Sequence, residues 1–534
     1  MAYTAHTDTF ARDNLPPKRQ WPEFIFDRPE VKYPARMNCA AELLDKSLAN
    51  GWGQNIVIRT PDGQCTYEQL LAQTNRIANV LVKEMGLKPG NRVLLRGPNN
   101  PIMAACWMAV MKAGGIVVAS MPLLRAKELT DIVVKAEITH ALCDKRLQQE
   151  LVNALPACPT LRNTTCWYDD APDSLDALCK KHSGEFRTVD TAADDVALIA
   201  FTSGTTGIPK GTMHFHRDVM AMCDLFPRST LKPTPEDVYC GTPPLAFTFG
   251  LGGMLCIPMR FGSSTVLMER LTPETLMETI HKFKATICFT APTFLRQMAQ
   301  IAKNYSIGGL KKCVSAGEAL PDATRQMFRQ ATGVEIIDGL GATEMIHIFV
   351  SHTPERARRG ATGYAIPGYE ATVLDDNGKP CAPGVVGRLA VKGATGCRYL
   401  ADERQKTYVQ NGWNITGDAY KMDADGYFYY QARTDDMIIS AGYNIAGPEV
   451  EAALLKHEAV AECGVVGVPD EERSQIVKAV VVLKSGYTAN DQMVKGLQDF
   501  VKNSIAPYKY PRAIEFAASL PRTETGKLQR FKLK

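Results

Sequence analysis

The residues most suggestive of chemistry lie at 200–211, Ala-Phe-Thr-Ser-Gly-Thr-Thr-Gly-Ile-Pro-Lys-Gly. Thr202, Ser203, Thr205 and Thr206 supply hydroxyl donors. Gly204 and Gly207 let the backbone approach an anion closely and permit positive φ. Lys210 adds a cation. Such a run suits a polyphosphate. It is not a Walker A loop, which needs Gly-Lys followed by Ser or Thr; here Pro209 precedes Lys210 and Gly211 follows. Two other patterns invite a metal reading and fail it. His214-Phe-His216 could put two imidazoles on one strand face, but no third ligand is near, so both read as structural and no transition metal is expected. Asp423-Ala-Asp425-Gly426 begins like a calcium loop, but lacks the later ligand spacing and the terminal Glu, so it reads as a turn.

The elements that must hold such a loop can be traced along the chain. A strand, Val196–Phe201, runs into it. Strand-like runs at Arg92–Leu95, Ile116–Ala119, Ser264–Met268, Ile287–Phe289 and Val334–Ile337 alternate with helical ones at Met103–Lys112, Pro273–Phe283 and Asp322–Gln330. That alternation predicts an α/β fold with layered, largely parallel sheets. Pro101–Leu124 is long enough for a membrane span, but Lys112 and Gly114-Gly115 interrupt it. It reads instead as a buried helix, a glycine turn and a buried strand. After Ile366 short strands and hairpin turns (375–378, 423–426) predict a β-rich subdomain. The last hundred residues predict a compact α+β unit: helices at Pro448–His457 and Asp491–Asn503, strands at Cys463–Val466, Lys478–Leu483 and Ala513–Ala517. The polar stretch Arg433-Thr-Asp435-Asp436 marks the division, giving domains 1–434 and 435–534.

Composition bounds the partners. At 534 residues the chain exceeds one simple core. Lys+Arg 61 against Asp+Glu 57 leaves a net charge of +4. Over this length, that gives no reason to expect nucleic acid or an anionic membrane. Fifteen cysteines without a CxxC pair fit reduced thiols. No secretory signal is visible in residues 1–19, so a cytoplasmic protein is expected.

Thr202–Gly211 resembles the signature of the adenylate-forming superfamily of acyl- and aryl-CoA ligases, luciferases and peptide-synthetase adenylation domains. Further segments match in the family's order: Ser315–Pro321 resembles the adenine-side loop, Asp338-Gly-Leu-Gly-Ala-Thr-Glu344 the AMP and magnesium segment, Thr416-Gly-Asp418 the ribose motif, Arg433-Thr-Asp435 the hinge, and Pro521–Lys527 the C-terminal lysine loop. The resemblance implies two half-reactions. A carboxylate attacks the α-phosphorus of ATP to give acyl-AMP and pyrophosphate; CoA thiolate then displaces AMP.

Roles follow from the resemblance. Lys527 would bridge the carboxylate and phosphate oxygens, lowering the repulsion between two anions. Glu344 would hold Mg2+ through oxygen, and Thr343 would bond the α-phosphate. The nucleotide would also be met by Thr202, Ser203, Gly204, Thr205, Thr206, Gly207, Lys210, Gly317, Glu318, Ala319, Asp338, Gly339 and Leu340. Asp418 would accept from both ribose hydroxyls, with Arg433 beside it. Asp435 would be the hinge about which a small, mobile C-terminal domain turns between half-reactions. Ala441, Gly442 and Tyr443 would line the pantetheine channel. Leu340 stands where many family members carry an aromatic residue, so the adenine stack is weakened to dispersion contact.

The acyl pocket is the least constrained part of such a match. Ala246, Phe247, Thr248, Phe249, Gly250, Gly341, His347 and Ile348 are its expected lining. Phe247 replaces the His of many fatty or cinnamoyl ligases and suits a flat ring. Thr343–Phe349 resembles the benzoate-CoA ligase branch, and residues 13–22 the 2-aminobenzoate-CoA ligase group. A neutral His347 imidazole could accept from an ortho amino or hydroxyl group. The expected enzyme is therefore an AMP-forming aryl-CoA ligase for 2-aminobenzoate or benzoate, using ATP, Mg2+ and coenzyme A. Alternatives are a ligase for medium-chain fatty or cinnamate-type acids, and an adenylation enzyme loading a separate carrier protein. A luciferase-like oxygenase has no positive sign in the sequence. A nucleotide-binding regulatory protein is disfavoured by the presence of Lys527, Glu344 and Thr343.

Overall fold

In the computed structural model of the chain, the described residues are 3–203, 209–433, 436–440, 443–470, 473–505, 507–522 and 528–534. A nine-stranded sheet runs, by position, Tyr364–Ala365, Ile348–Ser351, Ile336–Gly341, Lys312–Ser315, Ile287–Thr290, Val238–Gly241, Ser264–Val266, Ile56–Thr60, Gly63–Thr66. A six-stranded sheet runs Asn163–Trp167, His140–Asp144, Arg92–Arg96, Ile116–Ser120, Val196–Ser203, Pro209–Phe215. Both are parallel through their centres and antiparallel at one or both edges, as expected where helices cover both faces.

One apolar cluster fills the space between them, with Val93, Leu95 and Val117 from one sheet and Tyr239, Phe289 and Val314 from the other. The helix Pro101–Lys112 belongs to that cluster. It is apolar all round and buried from Met103 to Lys112, which is what such a helix requires. Its start is set by Asn100, whose side chain accepts from the Met103 amide, with Pro101 in the first turn. Lys112 is fully buried, and its ammonium is paired with Asp45 at 2.5 Å. The opposite faces of the two sheets carry separate cores. Helix Pro273–Phe283 lies on the second of these, begun by a Thr272 capping box and ended by Lys284 in the left-handed region.

Residues 369–433 form an antiparallel five-stranded sheet, with Trp413–Met422 pairing Phe428–Arg433. Their connection is a turn: Asp423 accepts from the Asp425 and Tyr427 amides, and Gly426 takes φ +83°. The C-terminal part is a separate domain with its own sheet (Tyr443–Ile445, Ile438–Ser440, Ser474–Leu483, Val460–Asp470, with Ala513–Phe516) and helices Gly447–Leu454 and Asp491–Ser504. Its core draws only on residues of that part, among them Ile438, Val450, Val477, Leu497 and Val501. Among the described residues no helix is long and apolar enough to cross a membrane. All fifteen cysteines are free, and only Cys65, Cys381 and Cys463 are less than fully buried.

Candidate active site

The loop read as phosphate-binding sits at the tip of a β-hairpin. Val196–Ser203 and Pro209–Phe215 pair antiparallel, with Thr202 opposite Lys210 and Ser203 opposite Pro209. The first strand is longer than the sequence suggests by two residues, because its partner extends the ladder. Residues Gly204, Thr205, Thr206 and Gly207 lie outside the described residues, as do Lys527, Asp435, Ala441 and Gly442. Tyr443 is described only as a strand residue.

Lys210 leaves the second strand of the hairpin and reaches Glu344, 3.6 Å from its carboxylate oxygen. Tyr399 stands between them. Lys210 Nζ donates to the Tyr399 hydroxyl at 3.0 Å, and that hydroxyl donates to Glu344. Glu344 is on the 3-10 turn Thr343–Met345 and is buried. Thr343 is fixed through its carbonyl, which accepts from His214 Nε2 at 2.7 Å. A single carboxylate suits a cation held mainly by substrate oxygens. Among the described residues no group of three or more His, Cys, Asp or Glu side chains could hold a metal ion.

Asp418 and Arg433 are register partners on adjacent strands and form an ion pair at 3.0 Å. Burial raises the Asp418 carboxyl above its ordinary range; Arg433 opposes that, and the charge of Glu344 adds to it. The carboxylates of Glu344 and Asp418 are therefore within electrostatic reach of one another. Tyr408, buried beside Tyr399 at 5.7 Å between ring centres, feels the charge of both. Asp338 lies in the buried part of strand Ile336–Gly341, and burial pushes its carboxyl up to about 8. Gly339 needs its missing side chain: a Cβ there would sit 2.6 Å from Ile348 Cδ1. Leu340 packs on the core. Gly317 takes φ +89°, Ala319 is exposed, and Glu318 accepts from the Thr293 hydroxyl at 3.0 Å. Arg522, immediately before residues 523–527, donates to Thr293 and lies 3.7 Å from Glu318. Through Arg522 the C-terminal domain touches Glu318 in the loop Ser315–Pro321.

A few residues beyond Glu344 the chain turns sharply. Ile346 takes φ +65°, a region that a β-branched residue rarely adopts, and is held there by complete burial. His347 follows it into an aromatic box. Its ring lies 5.7 Å from Phe226, 5.8 Å from Phe249 and 6.5 Å from Phe289. It is 4% exposed, and neither ring nitrogen makes a hydrogen bond of normal geometry, the Phe249 backbone being the polar group that acts on the ring. Burial pushes its pKa down to about 4, so the ring is neutral at pH 7. Gly252 makes room for it: a Cβ there would be 2.5 Å from His347 Cδ2. Gly341 packs similarly against the His347 backbone. Of the residues expected in the pocket, the structure groups Phe249 and His347. Ala246, Phe247 and Thr248 precede or begin the helix Thr248–Leu251, Gly250 is pressed against the Pro244 carbonyl, and Ile348 turns toward Gly339.

Sequence reading missed Phe226, Phe289 and Tyr399. The two phenylalanines sit in ordinary apolar runs and carry no local signal. Tyr399 reaches Glu344 because residues 398–400 pair with the hairpin: Thr212 bridges Tyr399, and the Leu400 amide donates to the Gly211 carbonyl.

The family model for AMP-binding enzymes matches residues 46–398, and that for the AMP-binding enzyme C-terminal domain matches residues 449–527. The benzoate–CoA ligase of Thauera aromatica is 35% identical over 512 residues, covering 95% of this chain and 97% of that protein. The anthranilate CoA ligase AuaEII, solved in complex with anthranoyl-AMP, superposes with a TM-score of 0.90 at 31% identity, covering 95% of this chain and 98% of that one. A benzoate CoA ligase from Burkholderia xenovorans LB400 gives a TM-score of 0.86 at 29% identity, covering 93% and 99%. The chain belongs to the AMP-binding enzyme family, the adenylate-forming superfamily, and stands there among the AMP-forming acid–CoA ligases.

Proposed function

We propose that the protein activates an aromatic carboxylate of the benzoate class, 2-aminobenzoate ahead of benzoate, to its aryl-AMP and transfers the aryl group to coenzyme A. The observation that carries this reading is the neutral, buried His347, with no hydrogen bond of normal geometry at either ring nitrogen, inside a box of phenylalanines. An apolar aromatic enclosure favours a flat ring. An imidazole with unmet hydrogen bonds costs stability until a ligand satisfies it. An ortho amino group donates where a plain benzoate offers nothing. The names of the relatives support the same class of acid.

In this reading Lys527, Thr343 and Glu344 serve adenylation. Thr202 to Gly207, Lys210, Gly317 to Ala319, Asp338 to Leu340, Asp418 and Arg433 receive the nucleotide. When bound, Mg2+ would be held by Glu344 and would screen the phosphate charges. Lys210 lies 3.6 Å from that carboxylate and so also has cationic reach into the phosphate region. Asp418 keeps Arg433 beside the ribose position. The division into 1–434 and 435–534, the Asp435 hinge and the Ala441–Tyr443 channel belong to the same proposal, as does a cytoplasmic location. The test is AMP release dependent on both CoA and acid, over benzoate, 2-aminobenzoate, cinnamate and medium-chain fatty acids. The expected order places 2-aminobenzoate first. Faster turnover of a medium-chain fatty acid than of any benzoate overturns the reading.

A further inference from the structure

Thr343 and Glu344 are gripped by groups that lie outside every motif of the nucleotide site. Tyr399 donates its hydroxyl to Glu344 and accepts from Lys210. Its ring is buried, which holds the hydroxyl in this one place. On the other side, a carbonyl can only accept, so the bond between His214 and Thr343 O puts a proton on His214 Nε2. Behind His214 stands Asp218, 3.8 Å from Nδ1, and Asp218 is ion-paired with Arg398. His214, Asp218 and Arg398 are all fully buried. Burial alone would raise the Asp218 carboxyl; Arg398, first among the opposing influences, holds it down at about 2. The Arg398 guanidinium is caged by Phe215 at 3.9 Å, Phe24 at 4.9 Å and Trp21 at 5.6 Å from the ring centres.

These groups belong to one paired unit of backbone. Lys210 and His214 sit on the strand Pro209–Phe215, and Arg398 and Tyr399 sit on the segment paired to it, with the Met213 amide donating to the Arg398 carbonyl. A buried ion pair is a poor source of stability compared with apolar packing. His214 Nδ1, Asp218 Oδ1 and Arg398 Nε and Nη1 make no hydrogen bond, so what the network contributes is the geometry set by the bonds it does make. Here the geometry specified is that of the turn Thr343–Met345.

We propose that Tyr399 and His214 are positioning residues for adenylation: Tyr399 aims the Glu344 carboxylate, and His214, backed by Asp218 and Arg398, sets the Thr343 peptide. The inference rests on Glu344 and Thr343 being the Mg-ATP contacts of the proposed function. The test uses the full-length enzyme with two readouts. One is ATP affinity by calorimetry with excess Mg2+ and with EDTA. The other is the rate of each half-reaction, with aryl-AMP supplied for the second.

Tyr399→Phe removes one hydroxyl and keeps the ring. A bond to a charged group of this kind corresponds to about ten- to hundredfold in adenylation rate. The Mg2+-dependent part of ATP affinity should fall about tenfold, while affinity in EDTA and thioester formation from supplied aryl-AMP stay near wild type. His214→Gln, which can still donate to Thr343 O, should stay within about threefold of wild type, and His214→Leu should lose as much as Tyr399→Phe. Wild-type adenylation in Tyr399→Phe, equal damage in His214→Gln and His214→Leu, or equal loss in both half-reactions overturns the proposal. A wild-type chain that binds no Mg-ATP would instead overturn the functional reading beneath it, and calorimetry reports this whichever acid is the substrate.

Discussion

Replacing His347 by Leu should move stability and selectivity in opposite directions. The imidazole is 4% exposed, makes no hydrogen bond of normal geometry at either nitrogen and is packed among Phe226, Phe249 and Phe289. A buried polar group without a partner costs about 1–3 kcal/mol. Leu is close in volume, so cavity and overpacking costs stay below about 1.5 kcal/mol. The free variant should therefore be as stable as wild type or up to about 2 kcal/mol more stable at pH 7. Acidification sharpens the contrast. The folded pKa of His347 lies below the unfolded value of 6.5, at about 4. Its contribution is complete above pH 6.5 and is lost as pH falls toward 4, an effect of about 3 kcal/mol. The variant has no such loss. In turnover, the bond to an ortho amino group disappears. The ratio of kcat/KM for 2-aminobenzoate over benzoate should drop about tenfold, the equivalent of about 1.4 kcal/mol. Urea unfolding at pH 7 and pH 5, with steady-state kinetics on both acids, measures all of this. A variant destabilised by more than about 2 kcal/mol would show that the imidazole is a satisfied core group, and an unchanged ratio would remove it from ring recognition.

Lys527→Ala should cut adenylation by orders of magnitude, yet lower thioester formation from supplied aryl-AMP much less; rapid-quench assays of the two steps decide it, and equal losses refute separate roles. Asp338→Asn should stabilise the protein at high pH. The folded pKa of Asp338 is raised to about 8, so the wild-type contribution is present below the unfolded value near 4 and lost as pH rises toward 8; thermal melts at pH 6 and pH 9 should show the gain growing with pH. Gly252→Ala should displace His347, since the new methyl would stand 2.5 Å from its ring, and should raise KM for aromatic acids with little change in ATP affinity; an unchanged KM would mean the ring does not read the acid.

Much of the architecture is legible because its signals are local. The helix Pro273–Phe283 has its cap, its first-turn Pro and its apolar period in one stretch, and its bounds are those expected from sequence. The turn at 423–426 is written in Asp and Gly. The segments around Thr202, Glu344 and Asp418 are recognisable because their residue types are dictated by an anion or a hydroxyl pair. What sequence does not carry is convergence. Phe226, Phe289 and His347 come from three distant elements, and nothing in each apolar run marks it as a wall of the same box. Tyr399 becomes a partner of Glu344 only once residues 398–400 lie along the hairpin. His214 is visible as part of His-Phe-His, but its role depends on which carbonyl faces it, and that is a property of packing.

Cys463 offers a way to watch the two parts of the molecule separate. It is the lone cysteine of the last hundred residues. It is half-buried on the strand Val460–Asp470, its thiol turned toward the Glu451 carbonyl, and its neighbours include Arg296 on the large-domain helix Pro292–Ile301. Burial raises its pKa well above that of a free thiol, which makes it a slow nucleophile while the domains are in contact. Any motion that lifts the C-terminal domain from that helix hydrates the thiol and quickens its alkylation. Under the proposed rotation about Asp435, the thiol would serve as a built-in kinetic reporter, readable by mass spectrometry, of how often each bound substrate opens the interface.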